Sequence, residues 1–194
     1  MKRLLIVIGT GTLLSACAGP AVAPEGPVVQ AVDPSSPLAA PTYMQMAASS
    51  DLFEIQSGQL ANQMSQNPAI RGFGNLLVAH HTHTSQTMMS TAQAAGLTPP
   101  PPALLPPDQA MLDQLRAAGP NFDVAFRDIQ VQAHQKALAL HQNYASGGDH
   151  PALRTVAGAA VPIVQQHLTA AQALNVAPAP MPMPAPLPSA GERG

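Results

Sequence analysis

The sequence predicts an all-α fold, a bundle of four long helices paired as two αα-hairpins. Three observations predict it. The chain has 194 residues with no Trp, four Phe and two Tyr, so its core must be built from Ala, Leu, Val, Ile and Met, which suits close helix packing better than a β-sandwich. Apolar residues recur at helical spacing in four long segments. The breaks between those segments carry Pro and Gly, which stop helices. With low-complexity ends, the chain has room for one domain, 42–176.

The first long helix is expected over 42–66, with Met46, Phe53, Leu60 and Met64 on one stripe. Asn67-Pro68 ends it and starts the second, because Pro suits a first helical position. The second, over 68–95, carries Phe73, Leu77, His81, Thr84 and Met88 on one stripe and stops at Gly96. Thr98–Pro107 reads as polyproline-like chain rather than helix, followed by a short helix over 108–117. Gly119-Pro120-Asn121 introduces the third long helix, 122–145, with Phe122, Phe126, Ile129, Ala133, Ala137 and Leu140 inward. After the turn Ser146–Asp149 the fourth, 151–174, turns Leu153, Ala157, Ala160, Val164, His167 and Ala171 inward. Pro162 is expected to kink it, since Pro removes a helical hydrogen bond.

The two hairpin turns share a phrase, Asn67-Pro68-Ala69-Ile70-Arg71 and His150-Pro151-Ala152-Leu153-Arg154. Duplication of one hairpin and convergence on good turn chemistry both account for it. The ten residues Thr98–Pro107, at ~3.1 Å each, reach ~30 Å, close to the length of a long helix. That permits the crossover of a ferritin-like bundle and leaves an up-down-up-down connection open.

At the N-terminus, Lys2 and Arg3 precede an apolar run from Leu4 to Leu14. The run is too short to span a bilayer, which takes about 20 residues, and has the shape of a secretory leader. It ends in Leu14-Ser15-Ala16-Cys17, which resembles the bacterial lipobox. The expectation is a leader over 1–16, a lipid on Cys17, a Pro-rich tether over 17–41 and a Pro-rich tail over 177–194. In the lipoproteins this resembles, a residue other than Asp after the Cys directs the product to the outer membrane, and here Ala18 follows. The chain is then a periplasm-facing lipoprotein held to the membrane by its anchor. Cys17 is the only cysteine, so no disulfide joins the helices.

Charged residues make up 9% of the chain and the formal net charge is −2. That excludes a phosphate-neutralising surface, and with it a nucleic-acid partner. Low charge and Gln-, Ser- and Thr-rich helix faces also favour weak self-association, because few charges oppose it.

Three Glu occur in the chain, and Glu54 is the one inside the helical region. Glu54 and His81 are equidistant from the Asn67-Pro68 turn, so they lie level in the first hairpin. His134 and His167 are equidistant from the His150-Pro151 turn and level in the second. Both pairs fall near mid-bundle: His134 lies ~18 Å along its helix. Glu54, His81, His134 and His167, one from each helix, could therefore converge on one Fe, Mn, Zn or Cu ion. The competing reading is a buried Glu–His network without metal. A dinuclear carboxylate site is disfavoured, because it needs several Glu and a Glu-x-x-His pattern on two helices, and the sequence has neither. His80 and His83 fall off the His81 stripe, at i and i+3, and read as an exposed polar face, with a surface Cu or Zn site as the alternative. No nucleophile–base pair or phosphate loop is visible, so no catalytic residue is assigned.

From about Tyr43 to Leu174 the chain resembles the bacterial domain-of-unknown-function family 4142, grouped with ferritin-like bundles and labelled as outer-membrane proteins. The residues that carry the resemblance are Glu54, Gly58 and Leu60-Ala61; Val78-Ala79-His80-His81-Thr82; Phe122-Asp123 with Phe126 and Ala133-His134; and Pro162 with His167. One departure stands out: where the family usually has Asp-His, this chain has His80-His81. The resemblance implies fold and location and assigns no activity. Two functions follow from the sequence, a non-catalytic envelope lipoprotein with a buried Glu–His network, or a mononuclear metal-binding or redox-linked bundle.

Overall fold

A computed structural model describes residues 32–176. The expected leader, Cys17, the tether up to Ala31 and the tail lie outside the described residues. Those described form α1 (Ala40–Met64), α2 (Pro68–Ala94), α3 (Pro106–Ala117), a 3-10 turn (Gly119–Asn121), α4 (Phe122–Gly147) and α5 (Pro151–Ala173), with no strand among them. None of these helices is long and apolar enough to cross a membrane.

Pro stands in the first turn of α1, α2, α3 and α5, where its missing N–H removes no helical bond. Asn67 caps α2, its side-chain oxygen accepting from the Ala69 N–H at 2.9 Å. At the far end, Gly96 takes φ +74°, the left-handed conformation that terminates helices.

Two ends of the chain reading need correction. α1 starts at Ala40, inside the expected tether, because the preceding segment packs on the domain: the Leu38 carbonyl accepts from the Asp149 N–H at 3.0 Å, and Ala39 is buried. Likewise α3 includes Pro106 and Pro107, expected to be non-helical, since both occupy its first turn. α5 runs continuously past Pro162. The carbonyl that Pro162 leaves unpaired, that of Gly158, lies on an exposed residue.

Two hydrophobic clusters fix the helix directions. One joins Phe53 and Ala61 of α1 to Ile70 and Phe73 of α2, Phe122 and Phe126 of α4 and Ala171 of α5. The other joins Tyr43 and Met44 of α1 to Met88 and Ala92 of α2, Tyr144 of α4 and Leu153 and Ala157 of α5. Each hairpin is therefore antiparallel, whereas α2 and α4 run in the same direction. α1 packs on α2 and α4, and α5 on α4 and α2. The Pro-rich segment must return the chain to the first end, so the connection is the long crossover. It passes along α1, where the Leu105 N–H donates to Ser49 Oγ at 2.8 Å and the Ser49 hydroxyl donates to Asp108, and α3 continues down the same helix.

Candidate metal centre

Between the two clusters lies a polar layer. On α2 it falls between Leu77 and Met88, on α4 from Ala133 toward Tyr144, on α5 between Ala157 and Ala171. His81, His134 and His167 occupy it with 3%, 0% and 1% of their surfaces exposed. One ring nitrogen from each lies within 4.8 Å of the other two. The level relation read from the sequence thus brings three of its four candidates together.

His81 Nδ1 lies 2.7 Å from Asp51 Oδ1, and His81 Nε2 lies 3.3 Å from His167 Nδ1. His134 Nδ1 donates to the Gln130 carbonyl at 2.8 Å, leaving His134 Nε2 buried without a hydrogen-bond partner. His167 Nε2 lies 2.8 Å from His80 Nδ1.

Glu54 is the fourth sequence candidate, and it does not join the trio. Its Oε1 sits 3.6 Å from His134 Nδ1, the ring nitrogen already bonded to Gln130. Both of its carboxylate oxygens and Gln130 Oε1 are buried without partners. Burial pushes the Glu54 carboxyl above the usual carboxylate range, against the pull of His134 and His81. For His81, burial opposes the charged form, but the bond to Asp51 and the charges of Asp51 and Glu54 outweigh it and raise the imidazole pKa. His167 has no such partner: burial, with His81, His134 and His80 close by, lowers it to about 3. His167 is a neutral imidazole at any physiological pH.

Sequence reasoning missed Asp51 and the contact that His80 makes with His167. Asp51 is held by His81, by Thr84 Oγ1 at 3.1 Å from each oxygen, and by Ser85 Oγ at 2.9 Å. The signal was present: Asp51 and Thr84 are equidistant from the same turn as Glu54 and His81, one helical turn away. His80 is exposed, as expected, yet its ring turns over the bundle edge to reach His167. The two rings meet edge to edge and nearly in parallel planes, at a centroid distance of 5.0 Å and an interplanar angle of 22°.

Asp51 and His81 also form part of the floor of a cleft of about 560 Å³. Its walls come from Met88 and Thr87 of α2 and Val156, Ala160 and Val164 of α5, and Tyr43 and His141 line its inner part. The Tyr43 hydroxyl and His141 Nδ1 are 3.0 Å apart. Burial lowers the His141 pKa to about 4.

Comparison with known proteins adds family and fold. A family model described as "Domain of unknown function (DUF4142)" matches residues 27–174. No curated protein matches the sequence. Among solved structures, the chain is similar to CopM in the Cu(II)-bound form, with TM-score 0.59 and 16% identity over 69% of this chain and 93% of that one. It is also similar to CopM in the Ag-bound form, with TM-score 0.57 and 17% identity over the same shares. At these identities the likeness concerns the helical fold.

Proposed function

Because the chain belongs to the DUF4142 family, whose description names no activity, we propose from the chain's own geometry that it binds one divalent transition-metal ion through His81, His134 and His167. The observation that carries this reading is the mutual approach of three buried imidazole nitrogens. Two nitrogens bonded to one tetrahedral ion at ~2.0–2.1 Å each stand about 3.3 Å apart, the separation of His81 Nε2 and His167 Nδ1. His134 Nε2 has no other partner, and its Nδ1 proton is committed to a backbone carbonyl, the usual arrangement of a ligating histidine.

Charge supports the same reading. Three neutral imidazoles leave the two positive charges of a buried ion uncompensated. The carboxyl groups of Asp51 behind His81 and Glu54 beside His134 stand where counter-charges to such an ion would be needed, and its charge would oppose the burial that raises Glu54. A Glu–His network serving packing alone should satisfy its own polar atoms. This one leaves His134 Nε2 buried without a partner, and an ion shared with His81 and His167 would supply it.

Imidazole ligands suit Fe, Zn and Cu, and among divalent first-row ions Cu(II) binds such sites most tightly. That CopM, a bundle of the same fold, has Cu(II)- and Ag-bound forms supports testing copper first. We place the bundle in the bacterial envelope as a Cys17-anchored lipoprotein, supported by the leader and lipobox residues alone, with a binding rather than a catalytic role.

The test is metal analysis and calorimetry on the chain reconstituted with Cu(II), Zn(II), Fe(II) and Mn(II). One ion per chain is expected, lost in His81→Ala, His134→Ala and His167→Ala and retained in His83→Ala. A wild-type chain that takes up none of the four ions would sink the reading and leave a structural network.

A further inference from the structure

We infer that His80, a surface residue outside the ligand set, is the positioning residue that selects the metal-binding tautomer of His167 by accepting its Nε2 proton. The inference rests on the metal-site reading above and extends it to a residue that touches no ion.

A neutral imidazole carries one proton, and the nitrogen holding it cannot donate a lone pair to a metal. His81 and His134 each have the proton fixed on the outer nitrogen by an acceptor: the Asp51 carboxylate for His81, the Gln130 carbonyl for His134. Such outer acceptors fix both ring orientation and tautomer. His167 faces the trio with Nδ1, 3.3 Å from His81 Nε2, so its proton must reside on Nε2. The neighbour of that nitrogen is His80 Nδ1 at 2.8 Å. With the proton on His167, His80 must be the acceptor, carrying its own proton on Nε2. The opposite polarity, His80 donating, would put the His167 proton on Nδ1 and remove it from the ligand set.

The arrangement has a geometric cause in the sequence. His80 directly precedes His81 on α2, so the two rings diverge around the helix by about 100°. One ring enters the layer, and the other wraps the outer edge of α5 to meet the far side of His167. Adjacent histidines therefore hold both faces of one imidazole.

Acceptor chemistry at position 80 separates this role from simple packing. His80 is exposed, so substitutions there leave the core intact, which a thermal melt verifies. In the full chain, His80→Ala should weaken Cu(II) binding ~10–100-fold, the range for loss of an outer partner. His80→Asn, whose side-chain oxygen takes the place of Nδ1, should restore affinity to within a few-fold of wild type. His80→Lys, which can only donate, should bind no better than the Ala variant. Equal affinities and equal copper spectra across the three variants would overturn the inference while leaving the metal site standing. A second measurement decides it even if wild type binds no metal. Long-range proton–nitrogen NMR of the metal-free chain should show His167 protonated on Nε2 in wild type and in His80→Asn, with that preference lost in His80→Ala. A His167 proton on Nδ1 in wild type refutes it.

Discussion

Gly58 of α1 and Gly74 of α2 are in direct backbone contact: a β-carbon on Gly58 would lie 2.5 Å from the Gly74 carbonyl oxygen, and one on Gly74 would lie 2.7 Å from that of Gly58. Both separations are below any real contact, so the first hairpin closes this tightly only with glycine at both positions. Gly58→Ala and Gly74→Ala should each cost ~1–3 kcal/mol by forcing the helices apart. Gly72, also on α2, has nothing within 4 Å of such a carbon, and Gly72→Ala should instead stabilise by ~0.5–1 kcal/mol through helix propensity. Thermal melts of the three variants check the opposite signs; three losses of similar size would mean that the contact is not the cause.

Asp51→Asn keeps the shape of the side chain and removes its charge. The His81 imidazole should lose the shift that Asp51 imposes, and metal affinity should drop ~10–100-fold. In the wild-type chain the ion must displace a proton from His81, so affinity should weaken as pH falls, with the onset above the ordinary histidine value of 6.5 because His81 is raised. The onset should move to lower pH in Asp51→Asn. Calorimetric titrations over a pH series measure both; an unmoved onset would separate Asp51 from the site. The linkage to folding has the opposite sense. The His81–Asp51 bond contributes fully below pH 6.5 and fades as pH rises through the raised value.

Acid should destabilise the bundle through His141. Its folded pKa, about 4, lies below the 6.5 of the unfolded chain, so between those values the unfolded chain binds a proton that the folded chain refuses. Stability falls as pH drops from 6.5 toward 4, at about 1.4 kcal/mol per pH unit for this group. His167, lowered to about 3, acts in the same direction and Glu54, raised by burial, in the other, so the comparison must isolate His141. The difference in unfolding free energy between wild type and His141→Gln should slope with pH across this window and flatten above it. A pH-independent difference would remove His141 from the account.

If Cys17 carries the lipid proposed above, Cys17→Ser should release the protein from the membrane fraction of a bacterial host, because the acyl chains would be its anchor there. Retention of the variant in that fraction would exclude the lipobox reading.

Much of this architecture is written in local chemistry. Pro at helix starts, Gly96 at a stop and the stripe through Leu77, His81 and Met88 each specify their element without tertiary help. The mid-bundle level of His81, His134 and His167 followed from distances to two turns. The crossover was not decidable from the same text, since its direction depends on which ends share a core, and Phe53 meeting Phe126 rather than Tyr144 is a long-range fact. Glu54 is level with His81 across the Asn67-Pro68 turn, but level position fixes height along the bundle and not rotation about the helix, and its carboxylate lies beside His134 Nδ1, away from the other two rings' nitrogens. Asp51 lies one helical turn from Glu54, and the sequence does not say which of the two carboxylates meets His81. His80 escaped because a polar position off the stripe says nothing of how far a ring can reach around a neighbouring helix.

The division of the three imidazoles between the hairpins bears on how the molecule comes apart. His81 belongs to the first hairpin and His134 and His167 to the second, while the peptide link between the hairpins is the Pro-rich strap. An ion held by all three would act as a removable cross-link, closing a loop of 86 residues between His81 and His167 in a chain with no disulfide. By the chain-entropy relation for cross-links, a closure of that length is worth ~4–5 kcal/mol against the unfolded state. The loaded bundle would then open as one unit and the metal-free one as two hairpins that can separate, so metal supply would set how long the folded protein survives proteolysis.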